Sequence, residues 1–466
     1  MIWQYKPTLL VISMVLLNGC ASNLHSQQRD QVPTNMPLQW QQAQIAPALT
    51  VHDAWVEQLV TPQLKQFMLQ ALQNNQQLLQ ASIDAEIQKQ QLIASGSALW
   101  PNLDLSARTN RSKNNRPVSY SNASSVGLIV SYEVDLWGKL AASTRQANLN
   151  YLAQQARLQQ SKQQLIADVL TRWFDIITAK QLLDLYIRRE ENAQQNLDII
   201  ESGYRQGLNE ALDVYLARNE LNNERSRIAS QRADLTRVAR QFERLLGDYP
   251  QGTMTAEHEL PVITRAIPLG LPSELITRKP ALKASWYQLL AADASLAYAH
   301  KQRFPSLNLA AELGDNSARV SDLLSPSSLA WSLIGSLSAP IFDAGRLKAN
   351  QQIALLNTKK QEQVYLQTLY DAFAEVENAI AQQQSLQARY TSTFEAQKNA
   401  LAAEQLSFEQ YQSGLVSYTT VLDSQSRAFD AQSSLIEIKN QLLANRINLH
   451  VALGGDFAKS TTLGDE

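Results

Sequence analysis

A single cysteine in 466 residues excludes a disulfide framework within the chain, and only five histidines are present. His25, His52, His258, His300 and His450 are scattered, with no pair at metal-ligand spacing and no HExxH. A Walker-type glycine-rich loop and a GxSxG elbow are also missing, so the common hydrolase and nucleotidase chemistries lack their residues. Beyond residue 17 no apolar stretch approaches the roughly 20 residues that a transmembrane helix requires. Lys and Arg number 41 against 43 Asp and Glu, a formal net charge of −2, which gives no basis for binding nucleic acid. Glycine is scarce at 16 residues, while Gln and Ala are abundant. That composition favours very long helices over a compact enzyme of many turns.

What is present begins with compartment. Lys6 precedes an uncharged apolar run from Leu9 to Leu17 that ends in Leu17-Asn18-Gly19-Cys20. This reads as a secretory signal over residues 1–19, too short to span a bilayer. Its last four residues resemble a bacterial lipoprotein cleavage box, with Cys20 as the acylated residue. Several acyl chains (a diacylglyceryl group on the thiol and an acyl group such as palmitate on the new amine) would give a stable anchor where one would not. Ala21 resembles the outer-membrane sorting type, in contrast to an Asp at that position. Residues 20–60, polar and without sustained period, read as a tether.

The rest of the chain is written twice. Tyr204-Arg205-Gln206-Gly207-Leu208 recurs as Tyr411-Gln412-Ser413-Gly414-Leu415, Gly138-Lys139-Leu140 as Gly345-Arg346-Leu347 and Leu246-Gly247 as Leu453-Gly454, all at an offset of 207. Trp100-Pro101-Asn102-Leu103-Asp104-Leu105 pairs with Phe304-Pro305-Ser306-Leu307-Asn308-Leu309 at 204, which puts three extra residues in the second copy, expected in its hairpin loop. The repeats are placed at 61–260 and 261–456, with a tail at 457–466. Each is expected to run helix, strand, strand, long helix, turn, helix, with hairpins at 100–137 and 304–342 and tips near 203–213 and 411–423.

Ile166, Val169, Leu170, Trp173, Phe174 and Ile177 follow the i, i+3, i+4, i+7 spacing of one apolar helical face, matched by Phe373, Val376 and Ile380. Ile228, Leu235 and Phe242, and then Leu435, Leu442 and Leu449, stand seven apart, the mark of coiled-coil-like packing. A helix from Gly138 to Gly207 would be roughly 100 Å long.

The strands alternate instead. Val126, Leu128, Val130, Tyr132, Val134 and Leu136 interleave with Ser125, Gly127, Ile129, Ser131, Glu133 and Asp135, and Leu329, Trp331, Leu333, Leu337 and Ile341 repeat the pattern. A lipid-facing barrel strand and a half-buried soluble hairpin both give this period. Trp100, Trp137, Phe304 and Phe342 bracket the two hairpins and would stand at one interfacial level if the hairpins are in lipid. Four strands cannot close a barrel, and open edges are not tolerated in hydrocarbon. A membrane location therefore demands an oligomer of at least two chains and eight strands or more.

The lipoprotein box, the duplicated hairpin-plus-long-helix unit, Tyr132 to Lys139 and Gly414 to Asp423 together resemble the TolC/OprM-type outer-membrane efflux proteins, in particular their lipoprotein branch. The resemblance implies a mainly α protein with membrane β: an α-barrel of long coiled-coil-like helices, plus two hairpins that give four strands to a shared trimeric β-barrel. It implies a homotrimer in outer-membrane lipid, a periplasmic adaptor and an inner-membrane RND or MFS pump, and no cofactor. It also implies a periplasmic gate. Asp423 matches a carboxylate that rings the aperture, within a segment that includes Thr419, and Thr420 stands where some relatives carry a second Asp. Asp213 and Tyr411 match positions that hold helices shut through hydrogen bonds. Solvated turn-proximal charges are the plain alternative for both aspartates. A periplasmic adaptor or coiled-coil adhesin is the rival architecture; an adaptor would need a small all-β segment instead of two hairpins duplicated with their helices.

Overall fold

The computed structural model describes residues 61–256, 259–261, 272–323 and 329–455, with isolated residues 37, 40, 41 and 59. The signal segment, Cys20, most of the tether and the tail at 457–466 lie outside the described residues. In chain order the elements are α1 Pro62–Asn74, α2 Gln76–Ser97, β1 Asn102–Asn115, β2 Val118–Val134, α3 Lys139–Arg205, α4 Ala211–Leu246, α5 Pro272–Arg278, α6 Pro280–Lys301, β3 Ser306–Ser317, β4 Ala330–Ser338, α7 Arg346–Gln412 and α8 Tyr418–Ala452. A short 3₁₀ turn at Val320–Asp322 follows β3.

The two longest helices are the same length, 67 residues each, about 100 Å at 1.5 Å per residue. Both start in the same way. A glycine in the left-handed region, Gly138 at φ 70° and Gly345 at φ 85°, turns the chain out of the sheet. An aspartate just ahead then accepts from the first free amides: Asp135 from Leu140 and Ala141, Asp343 from Gly345 and Leu347. Those backbone amides hold the Asp343 carboxyl below its usual range.

The predicted apolar face of α3 is the centre of the main core. Val169, Leu170, Trp173, Phe174 and Ile177 pack with Leu64 and Met68 of α1, Phe242 and Leu246 of α4, and Leu443 and Ile447 of α8. Phe67, Trp173 and Phe242 meet with ring centroids 5.3 to 5.6 Å apart. In the second copy Leu369, Val376 and Ile380 form a smaller core with Leu449, Leu453 and Trp40. The middle heptad position differs from expectation in both copies, Leu235 of α4 being half-buried. Leu442 is half-buried and Leu443 takes the fully buried place, because α8 must face both α7 and the α3 core.

Trp40 meets Phe373 edge-on at 6.1 Å, and the Gln41 amide donates to Glu377 at 2.7 Å. Phe373 lies 27 residues into α7, about 40 Å from its sheet end. The 20 residues from Cys20 to Trp40 can span at most roughly 70 Å. A lipid anchor at Cys20 is therefore within reach of a membrane that holds the sheet.

The four strands form one antiparallel sheet in the order β1-β2-β3-β4. Register assembles Leu103, Leu105, Leu128, Val130, Tyr132, Leu307, Leu309, Leu313, Trp331, Leu333 and Leu337 on one face. The opposite face carries Asn102, Asp104, Ser131, Glu133, Asn308, Glu312, Ser332 and Ser336. Leu105, Trp331 and Leu337 are 70 to 78 % exposed, far above what a hairpin packed on helices would leave. Register also locates the three extra residues. Leu103 pairs Val130, whereas Leu307, 204 further on, pairs Leu337, 207 further on, so the added length falls between β3 and β4.

The aromatic bracket is corrected in part. Trp100 and Phe342 are exposed, but the Trp137 and Phe304 rings pack together, tilted by 31° with centroids 5.3 Å apart, and Trp137 Nε1 donates to the Pro305 carbonyl at 2.7 Å. Those two tie the hairpins together instead of facing outward. The duplication put them at different ends of the same join.

Open faces recur in register with the repeat. α6 is sandwiched between α3 and α7, whereas its counterpart α2 packs mainly on α3, with a minor contact to α1. The far side of α2 presents Leu79, Ile83, Ile87 and Ile93, and the flank of α7 presents Ile353, Leu356, Val364 and Tyr370, all exposed. Repeating the α3-on-α6 contact between chains, as α7 on α2 of the next copy, would cover both, and the same step would pair edge strand β4 with β1 of that copy.

Candidate functional site

The end of the molecule farthest from the sheet is built by two copies of one turn. After α3, the Leu208 amide donates to the Gly203 carbonyl and the Gly207 amide to that of Tyr204; after α7, Leu415 donates to Gln410 and Gly414 to Tyr411. Gly207 at φ 74° and Gly414 at φ 72° supply the left-handed residue that this helix stop needs. The leucine that follows each glycine would ordinarily fold back onto the helix, but the facing positions are Gly203 and Gln410. Leu208 is 75 % and Leu415 73 % exposed.

Just above the turns the two repeats are joined. Tyr411 Oη donates to Asp213 Oδ2 at 3.0 Å, linking α7 to the first turn of α4. Burial, and then the Asp213 carboxylate, push the Tyr411 phenol far above its ordinary value, so it remains a donor at any growth pH. Tyr418 packs beside it at 5.4 Å, its phenol pushed up to about 12, chiefly by burial. Val214, Tyr418 and Val421 close the contact with an apolar cluster.

The other predicted residues lie on the exposed face of α8. Ser417 precedes the helix and its hydroxyl meets those of Thr419 at 2.6 Å and Thr420 at 3.2 Å. Asp423 is exposed, as expected for a carboxylate bordering an aperture, but it is not alone. Arg427 Nε donates to its Oδ2 at 2.9 Å from the next turn. The structure thus brings Asp213 and Tyr411 together, keeps Thr419, Thr420 and Asp423 on a separate surface, and gives Asp423 a cationic partner that the motif did not announce.

Sequence reasoning missed the strongest polar join. Arg189 of α3 donates through Nε to Glu224 at 2.6 Å and through a terminal nitrogen to Glu220 at 2.7 Å, both on α4. Its other terminal nitrogen reaches the Gln425 carbonyl of α8 at 3.2 Å, and the guanidinium lies 4.6 Å over the Phe429 ring. Arg227 also donates to Glu224, whose side chain is fully buried. Burial pushes the Glu224 carboxyl up against the pull of the two guanidinium groups. One residue thus ties three helices from both repeats, about 16 Å above Asp213 along α4. The only linear signal was Glu220 and Glu224 four apart on one face.

The family model for outer membrane efflux proteins matches residues 68–248 and 271–455. The chain is 28 % identical to the probable outer membrane lipoprotein SilC of Salmonella typhimurium over 98 % of its own length and 100 % of the relative's. It is 29 % identical to the solvent efflux pump outer membrane protein SrpC of Pseudomonas putida, over 97 % and 99 %. The solved outer-membrane channel OprN superposes with a TM-score of 0.85 at 24 % identity, covering 91 % of this chain and 98 % of that one.

Proposed function

The chain belongs to the outer membrane efflux protein family, and we propose that it is the outer-membrane channel of a tripartite efflux pump. It conducts drugs or other small toxic molecules passively, with no catalytic role of its own; energy comes from an inner-membrane RND or MFS pump through a periplasmic adaptor. Relatives named for solvent efflux and cation efflux fit a conduit whose cargo is set elsewhere.

The observation that carries this reading is the continuity of one unclosed sheet, apolar outside and polar inside, with helices about 100 Å long that end at a hydrogen-bonded tip. Three copies, joined α2 to α7 and β1 to β4, would place twelve strands in one barrel and twelve long-helix segments in the tunnel below. Cys20 adds a lipid anchor at the inner leaflet. The direct test is reconstitution of the purified trimer in planar bilayers, where a small closed-state current is expected.

Two substitutions address the gate. Tyr411→Phe removes the donor to Asp213, a hydrogen bond to a charged group worth about 1.5 kcal/mol, so the open-to-closed ratio should rise about tenfold per protomer. Single-channel recording reads this as more frequent openings, and an unchanged record would leave Tyr411 as packing only. Asp423→Asn is read by selectivity. Because Arg427 offsets Asp423, the wild-type aperture should show a weak cation preference, and the variant, left with Arg427 alone, a preference for anions. The reversal potential across a KCl gradient should change sign.

A further inference from the structure

We infer that the outward side of the β1–β2 ribbon, just beyond the apolar band, binds phosphate groups of outer-leaflet lipid. Odd-numbered residues of β1 and even-numbered residues of β2 share the apolar face: Leu103 with Val130, Leu105 with Leu128, Ala107 with Val126. Continuing in unbroken register, the next outward positions are Thr109 with Ser124, Arg111 with Asn122, and Lys113 with Tyr120. Arg111 therefore stands four residues past the last apolar pair, about 10 Å further along a tilted strand, which is headgroup depth.

Arg111 Cζ lies 5.4 Å and Lys113 Nζ 5.7 Å from the centre of the same Tyr120 ring. Two cations are thus gathered on one exposed aromatic. No acidic residue occurs between Leu105 and Tyr132, so the ribbon supplies no carboxylate to offset their repulsion. The second hairpin differs, because Asp315 and Asp322 accompany its Arg319. An anion bridging Arg111 and Lys113 relieves the repulsion, and the guanidinium fork matches a phosphate in two-point geometry. At the level where this face leaves hydrocarbon, the available anion is a lipid phosphate, and Tyr120 suits the same interface.

The inference rests on the sheet's apolar face lying in lipid. The test titrates purified full-length trimer with diphosphoryl lipid A, its monophosphoryl form and inorganic phosphate, by microscale thermophoresis. Binding should weaken from diphosphoryl to monophosphoryl lipid, and inorganic phosphate at equal concentration should not compete. The double variant Arg111→Ala/Lys113→Ala should lose about 30-fold in affinity for the diphosphoryl lipid, whereas Arg108→Ala/Arg116→Ala, with Arg108 on the polar face and Arg116 in the turn, should stay within about twofold. Undiminished binding by the first variant, in a trimer that still inserts into phosphatidylcholine vesicles, overturns this surface alone. Competition by inorganic phosphate overturns the lipid as its ligand. Failure of the wild-type trimer to insert overturns both this surface and the channel reading.

Discussion

Arg189→Ala should open the channel. The substitution leaves Glu224 fully buried with Arg227 as its one remaining cation, and it removes the bond from α3 to the Gln425 carbonyl of α8. Breaking a buried pair from one side costs about 3–5 kcal/mol; with Arg227 still present the low end applies, about 3 kcal/mol per protomer. That shifts the local closed-to-open ratio by a factor of roughly 100. Tyr411→Phe, by comparison, removes a single hydrogen bond at the rim. In planar bilayers the variant should spend most of its time in a higher-conductance state, and cells carrying it should become sensitive to bulky hydrophilic antibiotics that the outer membrane excludes. Arg189→Lys separates charge from geometry. A lysine keeps the attraction to Glu224 but cannot bridge Glu220, Glu224 and Gln425 together, so an intermediate conductance is expected. If both variants conduct as the wild type does, the join is structural scaffolding and the gate lies wholly at the tip.

The exposed ion pairs nearby serve as a contrast. Arg218 with Glu201 and Arg225 with Glu190 also bridge α3 and α4, at 2.8 and 3.0 Å, but their arginine side chains are about half exposed. Pairs of that kind contribute little. Burial, not the count of bridges, singles out Arg189.

Much of this architecture was legible because the chain states it twice. A constant offset across the long helices needs no energy function to read, and the two aspartate-then-glycine starts at Asp135 and Asp343 show why the copies enter their helices alike. The alternation in β2 and β4 revealed the faces, although not which environment each met; that came from the exposure of Trp331 and Leu337 in a sheet on which none of the described helices packs. Other features were not legible, for physical reasons. Trp137 closes the first hairpin and Phe304 opens the second, and linear spacing cannot say that a sheet will bring those two ends face to face. Leu443 displaced Leu442 because α8 serves two partners, so a strict seven-residue period overstates the regularity of its buried face. Arg189 looked like one more polar residue on a long helix. Its role depends on α4 and α8 converging from positions 31 to 236 residues away, and no local pattern encodes that. Asp213 and Tyr411 became visible through resemblance, and the fold brings their oxygens to 3.0 Å.

Leu208→Asp combined with Leu415→Asp should abolish export while leaving the channel intact. Each leucine follows a glycine helix stop that would normally tuck it against the helix, and at both tips the facing residue gives it nothing to cover. In a trimer six such side chains would ring the end farthest from the sheet, at two pseudo-equivalent positions per chain. An adaptor that docks there would bury them, and burying one leucine is worth about 2 kcal/mol, so the set represents on the order of 10 kcal/mol of docking free energy. Charged replacements remove that contribution and add the cost of desolvating carboxylates. Because the side chains are about three-quarters exposed, the variant should assemble as a trimer and conduct in planar bilayers like the wild type. In cells that depend on this channel, accumulation of dyes and drugs should rise to the level of a deletion, and cross-linking to the adaptor should disappear. Leu208→Ala with Leu415→Ala should fall between, since the apolar area shrinks without a charge entering. Full export by the aspartate variant would mean that the adaptor grips the helical flank above the tips, which would transfer the docking role to the exposed apolar residues Leu212 and Tyr215 on α4.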